Sequence, residues 1–442
     1  MTLGATRRQL DLDVLGRQMY ACIEELYPLC RSITGDGVRE TLRRIRRRLP
    51  LTLHEVPTGV PVFDWTVPNE WNIRDAWVKN ASGDRVVDFQ KSNLHVVSYS
   101  VPVRARMALA ELKEHLHALP ESPDRIPYRT SYYRETWGFC LTQRQLDALP
   151  DAEYEVCIDS TLAPGSLSYG ECYLPGETAD EVLVSCHVCH PSLANDNLAG
   201  VAVATFLGEI LSRVSLRCSY RLVFIPGTIG SLTWLSRNEA NLHRIKAGLV
   251  LTGLGDPGTP TYKKSRRGNA AIDRAATHVL KSHSGSHIVE FSPYGYDERQ
   301  YCSPGFDLPV GCLMRTPHGQ YPEYHTSGDN LDFVHPASLA DSLAVALDIF
   351  HVLEDDKTYL STNPKGEPQL GRRGLYRAMG GLSDVGAHEM AMLWVLNLSD
   401  GRHRLLEIAE RSDYPFDIVQ RVARMLMEHG LLNEIGSEVS NG

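Results

Sequence analysis

The chain has 442 residues, of which 43% are hydrophobic and 22% are charged, and its formal net charge at pH 7 is −9. This length exceeds the size at which a single hydrophobic core keeps growing, so two or three domains are expected. The ordinary composition excludes collagen-like, low-complexity and disordered classes. The net acidity argues against nucleic acid as the main partner, because proteins that bind phosphate backbones usually present a basic face.

The sequence predicts a cytoplasmic protein with reduced cysteines. It contains no run of the roughly 18 to 20 apolar residues that cross a bilayer. Asp11 and Asp13 interrupt the apolar residues near the start of the chain, which argues against a secretory signal. The ten cysteines are therefore expected mostly as free thiols. We expect no membrane partner.

Two helices are predicted before residue 52. Apolar residues spaced by three and four between Leu12 and Leu26 form the stripe of an amphipathic helix. A turn sequence at residues 34–37 then precedes a second helical pattern over residues 38–49. The arginines of this second pattern are expected to face solvent, because one short basic run does not outweigh the net acidity of the chain.

Residues 52–140 differ in composition from the segments around them. They are rich in Trp, Tyr, Pro and β-forming residues, and short runs such as LHVVSYSVPV alternate with turn sequences. We predict that residues 52–140 form a small, mainly-β domain. This domain would be inserted into a larger one formed by residues 1–51 and 141–356.

From about residue 154, strand patterns alternate with helix patterns. Buried-strand runs such as EVLVSCHVC and YRLVFIP are separated by helical patterns such as NLAGVAVATFLGEILSRV. This alternation predicts an α/β domain with a mostly parallel sheet covered by helices on both faces. Ligands of such sheets bind at the carboxyl ends of the strands, so polar residues at those ends are the best candidates for a site.

Residues 370–442, which follow a polar linker, predict a winged helix-turn-helix. Three helical patterns are followed by the strand-like LLNEI. Acidic residues outnumber arginines here, and the predicted recognition helix offers only Arg421 and Arg424. We therefore expect a packing module or a homo-oligomer contact rather than DNA binding.

The strongest candidate site is VSCHVCHPSLANDNLAG, residues 184–200. A buried strand delivers His187 at its carboxyl end, and a short loop presents Asp196 just before a helix. Imidazole and carboxylate together suit a divalent metal of borderline softness, zinc first. His325, in YPEYHTSGDNLDFV, would complete a catalytic site of three ligands with an open position. His190, taken alone, is more often a structural histidine.

Several other polar residues have two interpretations each. Asp329 either orients an imidazole or caps a turn. Asp297, Glu298 and Arg299 lie in a loop that leads to a buried strand, where they form either part of the site or a surface ion pair.

Other enzyme classes have less support. A serine hydrolase would need a G-x-S-x-G elbow, which the sequence lacks. Nucleotide binding would need a P-loop or a G-x-G-x-x-G that opens a helix after a strand, and none is predicted. Cys302 is a weak candidate nucleophile because a lone cysteine usually packs in the core. Cys186 and Cys189 are likewise expected to be buried packing thiols.

Eight motifs occur in order along the chain. They are YPLCRSITGDGVRETL, FDWTVPNEWNIRDAW, NLHVVSYSVPV, YYRETWGFCL, SCHVCHPSLANDNLAG, FIPGTIGS, ERQYCSPGFDLP and EYHTSGDNL. Together they resemble a family of bacterial aminopeptidase-like proteins, described as polysaccharide-biosynthesis proteins with an aminopeptidase-like domain. The resemblance runs from about residue 20 to the winged helix. The family's core is similar to the zinc aminopeptidase and glutaminyl cyclase superfamily, a parallel-sheet α/β fold with one or two zinc ions.

The resemblance implies a ligand set for the metal. His187 matches the first metal histidine of the superfamily, Asp196 matches the bridging aspartate, and His325 matches the last metal histidine. The loop that contains Glu298 resembles the aspartate-bearing loop before the final core strand.

Three positions depart from the superfamily pattern. Gly227 and Thr228 stand where the superfamily has two adjacent glutamates, the general base and a metal ligand. Thr252 stands where another strand ends in an aspartate ligand. The remaining ligands imply one zinc rather than two, because three protein ligands hold a single zinc and leave one open position.

Hydrolysis would then need another carboxylate to accept the proton of the attacking water. Glu323 and, after it, Glu298 are the candidates, since both lie in segments predicted to reach the carboxyl edge of the sheet. Glu298 and Arg299 are also candidates for substrate binding, Glu298 by pairing with a free amino group.

The sequence as a whole predicts a zinc-dependent hydrolase of an amide or peptide bond in a small substrate, such as a short peptide or an aminoacyl conjugate. The alternative is a non-hydrolytic protein that keeps the scaffold and the zinc for binding or for another acyl transfer. The missing pair of glutamates supports this alternative.

Overall fold

A computed structural model describes residues 2–375 and 385–435 of the chain. Contacts between residues divide the chain into two compact units. The first unit comprises residues 1–273 and 283–347, and the second comprises residues 274–282 and 348–442. The predicted functional residues all belong to the first unit.

From residue 181 onward, each strand and helix predicted from the sequence patterns is present in the predicted order, and further short elements lie between them. The strands are β1 Thr52–Pro57, β2 Pro61–Val62, β3 Trp65–Thr66, β4 Glu70–Lys79, β5 Arg85–Asp88, β6 Val103–Ala108, β7 Leu116–His117, β8 Phe139–Cys140, β9 Glu153–Ala163, β10 Ser166–Leu174, β11 Glu181–His187, β12 Ser219–Ile225, β13 Ile245–Leu251, β14 Thr261–Lys263, β15 His287–Val289, β16 Val310–Met314, β17 Thr358–Ser361, β18 Asp400–Arg404 and β19 Leu432–Ile435. The α-helices are α1 Leu3–Arg7, α2 Leu12–Leu26, α3 Asp36–Ile45, α4 Leu109–Leu112, α5 Gln143–Asp147, α6 Gly200–Leu211, α7 Ile229–Asn238, α8 Ala271–Lys281, α9 Glu298–Tyr301, α10 Pro336–Asp355, α11 Val385–Leu398, α12 Leu405–Ser412 and α13 Phe416–Glu428.

An eight-stranded sheet forms the centre of the first unit, in the order β1-β10-β12-β11-β13-β16-β14-β15. Its four central strands, β12, β11, β13 and β16, run parallel to one another. The pairs β1–β10, β10–β12 and β14–β16 are antiparallel, whereas β14 and β15 are parallel. The predicted mostly parallel sheet is therefore confirmed, with antiparallel additions toward its edges.

Strand β11 lies between β12 and β13 in the middle of this sheet, and all seven of its residues are buried. Neither face of such a strand is exposed to solvent, so its sequence, EVLVSCH, contains a run of apolar residues instead of alternating apolar and polar ones. The helix that follows, α6, is buried along almost its whole length and packs against β11, β12 and β13. Strand and helix together fix the position of the loop between them.

A second sheet of four strands has the order β5-β4-β9-β6. The pairing of two strands does not match the borders predicted for the inserted domain at residues 52 and 140. Strand β1 pairs with β10 in the large sheet, and β9, which lies after residue 140, is central to the small sheet. Those borders are displaced because strand pairing, which local composition does not encode, assigns each strand to its sheet. The separate inserted domain stays a prediction.

The second unit contains a three-stranded sheet, β18-β17-β19, with helices α11, α12 and α13. The three predicted helices and the final strand are present in the described residues. The sheet also includes β17, which lies in the segment predicted to be a linker and begins before the predicted border at residue 370.

Helix α10 is the one helix in the described parts of the chain that is long and apolar enough to cross a membrane. Its apolar window is 78% buried within the protein, which is typical of a core helix. All ten cysteines are free thiols, and Cys186 and Cys189 are buried as predicted.

Candidate metal centre

His187 and Asp196 are brought together by the turn from β11 into α6. His187 is the last residue of β11 at the carboxyl end of a parallel strand. Asp196 lies in an irregular helical turn, Ala194–Ala199, that leads directly into α6. Because the strand end and the helix start are both buried, the two side chains have little freedom.

Asp196 contacts one histidine with each of its carboxylate oxygens. Its Oδ1 lies 2.8 Å from Nε2 of His187, and its Oδ2 lies 3.0 Å from Nε2 of His325. The side chain is completely buried. Burial by itself would raise the pKa of Asp196, but the surrounding imidazoles outweigh burial and hold that pKa well below its usual value. The two predicted histidine ligands thus both contact the ionised carboxylate of Asp196, which is the third predicted ligand.

His190 is a third imidazole in the same cluster, although the sequence favoured a purely structural role for it. Ligand atoms of His187, His190 and Asp196 all lie within 4.8 Å of one another. The ring centroid of His190 lies 4.9 Å from that of His187 and 5.2 Å from that of His325. Burial lowers the pKa of His190 to about 3, so its ring is neutral and keeps a free lone pair.

His325 belongs to a loop held in an uncommon backbone conformation. Its φ of 52° is in the left-handed region, and its carbonyl accepts a hydrogen bond from the amide of Tyr128 at 2.8 Å. Its ring stacks on that of Tyr324 with centroids 4.0 Å apart. These contacts orient the imidazole toward Asp196.

Asp329 orients the metal-site loop through its backbone. Its carboxylate accepts hydrogen bonds from the amides of Asn195 at 2.6 Å and Asp196 at 2.9 Å. Asp329 lies in a turn, as one of the two interpretations from the sequence predicts, because its amide donates to the carbonyl of Thr326 at 3.0 Å. Its carboxylate positions the Asp196 loop rather than an imidazole. Burial raises the pKa of Asp329 to about 8.

The cluster forms the floor of a cavity of about 230 Å³. The cavity is lined by aromatic, histidine and small residues: Tyr128, Thr130, Tyr132, His187, Cys189, His190, Asp196, Gly227, Thr228, Gly295, Tyr296, Asp297, Tyr324 and His325. Gly227 and Thr228, two of the departures from the superfamily pattern, therefore face the site. A Cβ atom on Gly227 would come within 3.2 Å of Oδ2 of Asp297 and 3.3 Å of Cβ of His187.

Asp297 is the second carboxylate of the cavity. It is buried and accepts a hydrogen bond from the hydroxyl of Ser231 at 2.9 Å. Burial raises the pKa of Asp297 to about 6. The sequence placed this residue in the correct loop but left open whether it joined a surface ion pair; it is buried at the cavity wall.

Glu298, Arg299 and Glu323, the other predicted site residues, lie outside the lining of the cavity. Glu298 is fully buried and forms an ion pair with Lys263 at 2.9 Å. Glu323 forms an ion pair with Arg125 at 2.6 Å. Arg299 contacts the lining of the cavity, since its Nη2 donates to Oγ1 of the lining residue Thr228 at 3.4 Å.

The sequence gave no indication of the four tyrosines of the cavity wall. They come from three separate segments that only the fold brings together, and no local pattern distinguishes them from core aromatics. Cys302, the weak candidate nucleophile, is buried and donates to the carbonyls of Leu308 and Val310. It is therefore a packing thiol.

Comparison with known proteins fixes the family. A family model described as a domain of unknown function (DUF4910) matches residues 20–356, and a winged helix-turn-helix model matches residues 357–434. The chain belongs to the DUF4910 family.

A Clostridium acetobutylicum protein named as a polysaccharide biosynthesis protein with an aminopeptidase-like domain is 53% identical over 94% of this chain and 96% of its own length. A crystal structure described as a peptidase from the same organism has a TM-score of 0.92 at 50% identity and covers 96% of this chain and 98% of that one. The resemblance given by the sequence motifs is thereby confirmed over nearly the whole length.

More distant structures show the fold. A zinc aminopeptidase from Bacillus subtilis matches with a TM-score of 0.55 at 12% identity, over 76% of this chain and 94% of its own. A peptidase M28 precursor from Shewanella amazonensis matches with a TM-score of 0.55 at 13% identity, over 80% and 97%. The DUF4910 region of this chain therefore has an aminopeptidase-like fold.

The donor set fits a zinc ion. Imidazole nitrogen and carboxylate oxygen are the ligands that zinc prefers. Ligand atoms of His187, His190 and Asp196 lie within 4.8 Å of one another, and Nε2 of His325 lies 3.0 Å from Oδ2 of Asp196. The ionised state of Asp196 and the burial of the cluster add to this fit. His187, Asp196 and His325, with His190 beside them, are the residues that could hold the ion.

Proposed function

We propose that this protein is a metal-dependent hydrolase of an amide or peptide bond in a small substrate. One zinc ion would be held by His187, Asp196 and His325. The observation that carries the proposal is the sharing of one buried carboxylate, that of Asp196, by two histidines at the carboxyl end of a parallel strand. The names of the Clostridium acetobutylicum relatives and the aminopeptidase-like fold support it.

When bound, the cation would polarise the scissile carbonyl and lower the pKa of a neighbouring water. The residues of the chain supply the rest. Without the cation, Nε2 of His187 and Nε2 of His325 each donate a hydrogen bond to Asp196, which holds both rings beside the carboxylate. Each of these two nitrogens would exchange its proton for the cation. The walls of the cavity restrict its volume to about 230 Å³, which admits the end of a substrate rather than a folded protein.

Hydrolysis also requires a group that accepts the proton of the attacking water. Glu323 and Glu298 stay our sequence-based candidates, but each would have to leave its ion pair with Arg125 or Lys263. Asp297 already lines the cavity. We therefore rank Asp297 first for accepting the proton of the attacking water, because a general base must come within hydrogen-bond reach of it.

Substrate binding is assigned to Arg299 and Glu298 as in the sequence analysis. Arg299 contacts the lining residue Thr228, so a modest movement of its side chain would bring it to a substrate carboxylate. Glu298 lies next to the lining residue Gly295, since a Cβ atom on Gly295 would come within 2.3 Å of its Oε1. From this position it would pair with a free amino group of the substrate.

The test is the release of amine from a panel of aminoacyl amides and dipeptides by the zinc-loaded, full-length protein. We expect turnover by the wild type, none by His187→Ala, and unchanged turnover by His243→Ala, which alters a histidine outside the cavity. Asp297→Asn should reduce turnover by about 100-fold or more, whereas Glu323→Gln should reduce it only if Glu323 accepts the proton. Equal rates for wild type and His187→Ala would refute the metal-dependent mechanism.

A second candidate function is a non-hydrolytic binding or acyl-transfer protein on the same scaffold. The observation that favours it is the absence of further carboxylates where the superfamily places them: Gly227 and Thr228 line the cavity, and Thr252 is buried. Failure of the whole substrate panel, combined with tight binding of a small ligand by the zinc-loaded protein, would select this candidate.

The remaining inferences about partners and location are proposals of the same kind. A short peptide or aminoacyl conjugate is the proposed substrate, and a homo-oligomer through the winged helix-turn-helix is the proposed assembly. The cytoplasm is the proposed location, supported by ten free thiols.

A further inference from the structure

We propose that His190 is a direct protein ligand of the same cation, so that three imidazoles and one carboxylate surround it. The inference rests on the proposed metal site and adds a donor that the superfamily pattern of His187, Asp196 and His325 does not contain. It also defines the coordination available to a substrate.

The first argument is the position of the His190 ring. Its centroid lies 4.9 Å from the ring of His187 and 5.2 Å from the ring of His325, so it lies close to both. One of its nitrogens lies within 4.8 Å of a ligand atom of His187 and of Asp196. Two atoms bound to one zinc at about 2.0 to 2.1 Å each are at most about 4 Å apart, so small side-chain adjustments are sufficient.

The second argument is that the backbone of His190 is anchored by a buried arginine. Nε of Arg31 donates to the carbonyl of His190 at 2.9 Å, and Nη1 of Arg31 donates to the carbonyl of Leu26 at 2.6 Å. Arg31 is only 1% exposed. In addition, the hydroxyl of Ser192 donates to the carbonyl of Tyr27 at 2.9 Å. The loop after β11 is thus fixed to the end of α2 on both sides of the ring that we assign.

The third argument is that the ring of His190 has few competing contacts. Gly227 and Thr228 line the same cavity without an imidazole or a carboxylate, and the carboxylate of Asp297, which also lines it, accepts a hydrogen bond from Ser231. The nitrogen contacts of His190 within the described residues are weak, since its Nδ1 lies 3.7 Å from Sγ of Cys189. An imidazole that faces the cluster without a strong hydrogen bond is a suitable further donor.

A fourth protein ligand changes what the site can do. Zinc with four protein ligands is usually closed, and only expansion to five-coordination leaves a position for a water or a substrate. His190 would therefore either stay bound to the cation throughout turnover or dissociate from it when a substrate binds. Either behaviour distinguishes this centre from a site of three ligands.

The experiment uses full-length protein and zinc alone, so it needs no substrate. Zinc affinity is measured by competition with a chelator for the wild type, His190→Ala, His187→Ala and His318→Ala. His318 is a matched control, because its ring lies 5.2 Å from the ring of the cavity residue Tyr296 but contributes no donor to the cluster. An anomalous difference map of zinc-soaked wild-type crystals locates the ion independently of any variant.

We expect the zinc peak within about 2.1 Å of a His190 nitrogen, as for a bound imidazole. His190→Ala should weaken zinc binding by at least about 100-fold, more than the loss of a group that only positions a ligand, while His318→Ala stays near the wild type. A peak farther than about 3 Å from His190, or a smaller loss of affinity, overturns the inference.

The outcomes separate this inference from the proposed function. If His187→Ala loses zinc and His190→Ala retains it, the metal site stands and the role of His190 is wrong. If the wild type takes up no zinc at all, both the metal site and the role of His190 are wrong.

Discussion

Asp196 makes the candidate centre possible because a carboxylate has two oxygens. One oxygen contacts His187, nine residues earlier in the chain, and the other contacts His325, 129 residues later. An asparagine would keep the volume but would offer only one oxygen and no charge. The amide hydrogen bonds from Asn195 and Asp196 to Asp329 hold this carboxylate in place. The two histidines thus position the side chain of Asp196, and Asp329 positions its backbone.

Arg31 has a similar structural role, and the stability of the protein tests it. Arg31→Met removes the donors to the carbonyls of His190 and Leu26, both in a buried setting. We expect the free energy of unfolding to fall by about 2 kcal/mol, because buried carbonyls without donors are costly. Urea denaturation followed by tryptophan fluorescence measures this change.

The control for Arg31 is Arg43→Met. The Arg43 side chain is 57% exposed and forms only a surface ion pair with Glu40. Its replacement should change the free energy of unfolding by no more than about 0.5 kcal/mol. Equal losses in the two variants would show that the buried contacts of Arg31 contribute nothing specific.

Among the elements, the carboxyl ends of the central strands carry the site. Strand β11 ends at His187, and β12 ends at Ile225, two residues before Gly227 of the cavity wall. Parallel strands end at the same edge of a sheet, so residues distant in sequence meet there. Loops that follow those strands therefore determine the chemistry, while the strands provide a rigid support.

Helix α10 contains a histidine whose ionisation stabilises the second unit. Nδ1 of His351 lies 3.0 Å from Asp355, and its Nε2 lies 3.0 Å from Asp417 at the start of α13. Burial acts to lower the pKa of His351, but the two carboxylates outweigh it and raise that pKa to about 9. The contribution is fully present below the ordinary pKa of 6.5 and is lost as the pH rises through 9.

We expect wild-type stability to fall by about 2 kcal/mol relative to His351→Gln between pH 6 and pH 10, because the uncharged glutamine cannot lose an ion pair. Urea titrations of both proteins at several pH values measure the difference. Parallel curves over this range would contradict a charged His351. An NMR titration of its ring gives the pKa directly.

For the whole molecule, the net charge of −9 bears on the winged helix-turn-helix. Helix α13 includes Asp417 and Glu428 as well as Arg421 and Arg424, so its charges cancel. Affinity for DNA comes largely from the neutralisation of phosphates by basic residues. Helix α13 itself therefore presents no net positive charge to a phosphate backbone.

We expect the full-length protein to show no binding to a labelled random duplex DNA at micromolar protein concentration and low salt, measured by fluorescence anisotropy. A Glu428→Lys variant, which leaves the pair of Asp417 and His351 unchanged, should gain salt-dependent affinity if α13 is accessible to DNA. Tight, salt-dependent binding by the wild type would contradict our expectation.

The sequence alone determined much of this protein, because periodicity and local order encode it. The buried run EVLVSCH predicted a central strand, and the alternation with helices predicted a mostly parallel sheet; both are confirmed. The position of His187 at the end of that strand, next to Asp196 before a helix, was also local information. His325 was a candidate from its own motif, and the family resemblance matched it to the last metal histidine of the superfamily.

Only the tertiary structure decided which distant groups face one cavity. Glu323 and Glu298 were expected at the site, but Arg125 and Lys263 occupy their carboxylates, and the sequence contains no sign of these pairings. Asp297 and the tyrosines of the cavity wall reach the cavity through loops whose paths depend on long-range packing. Strand β9 joined the small sheet for the same reason, since pairing partners are chosen by the fold as a whole.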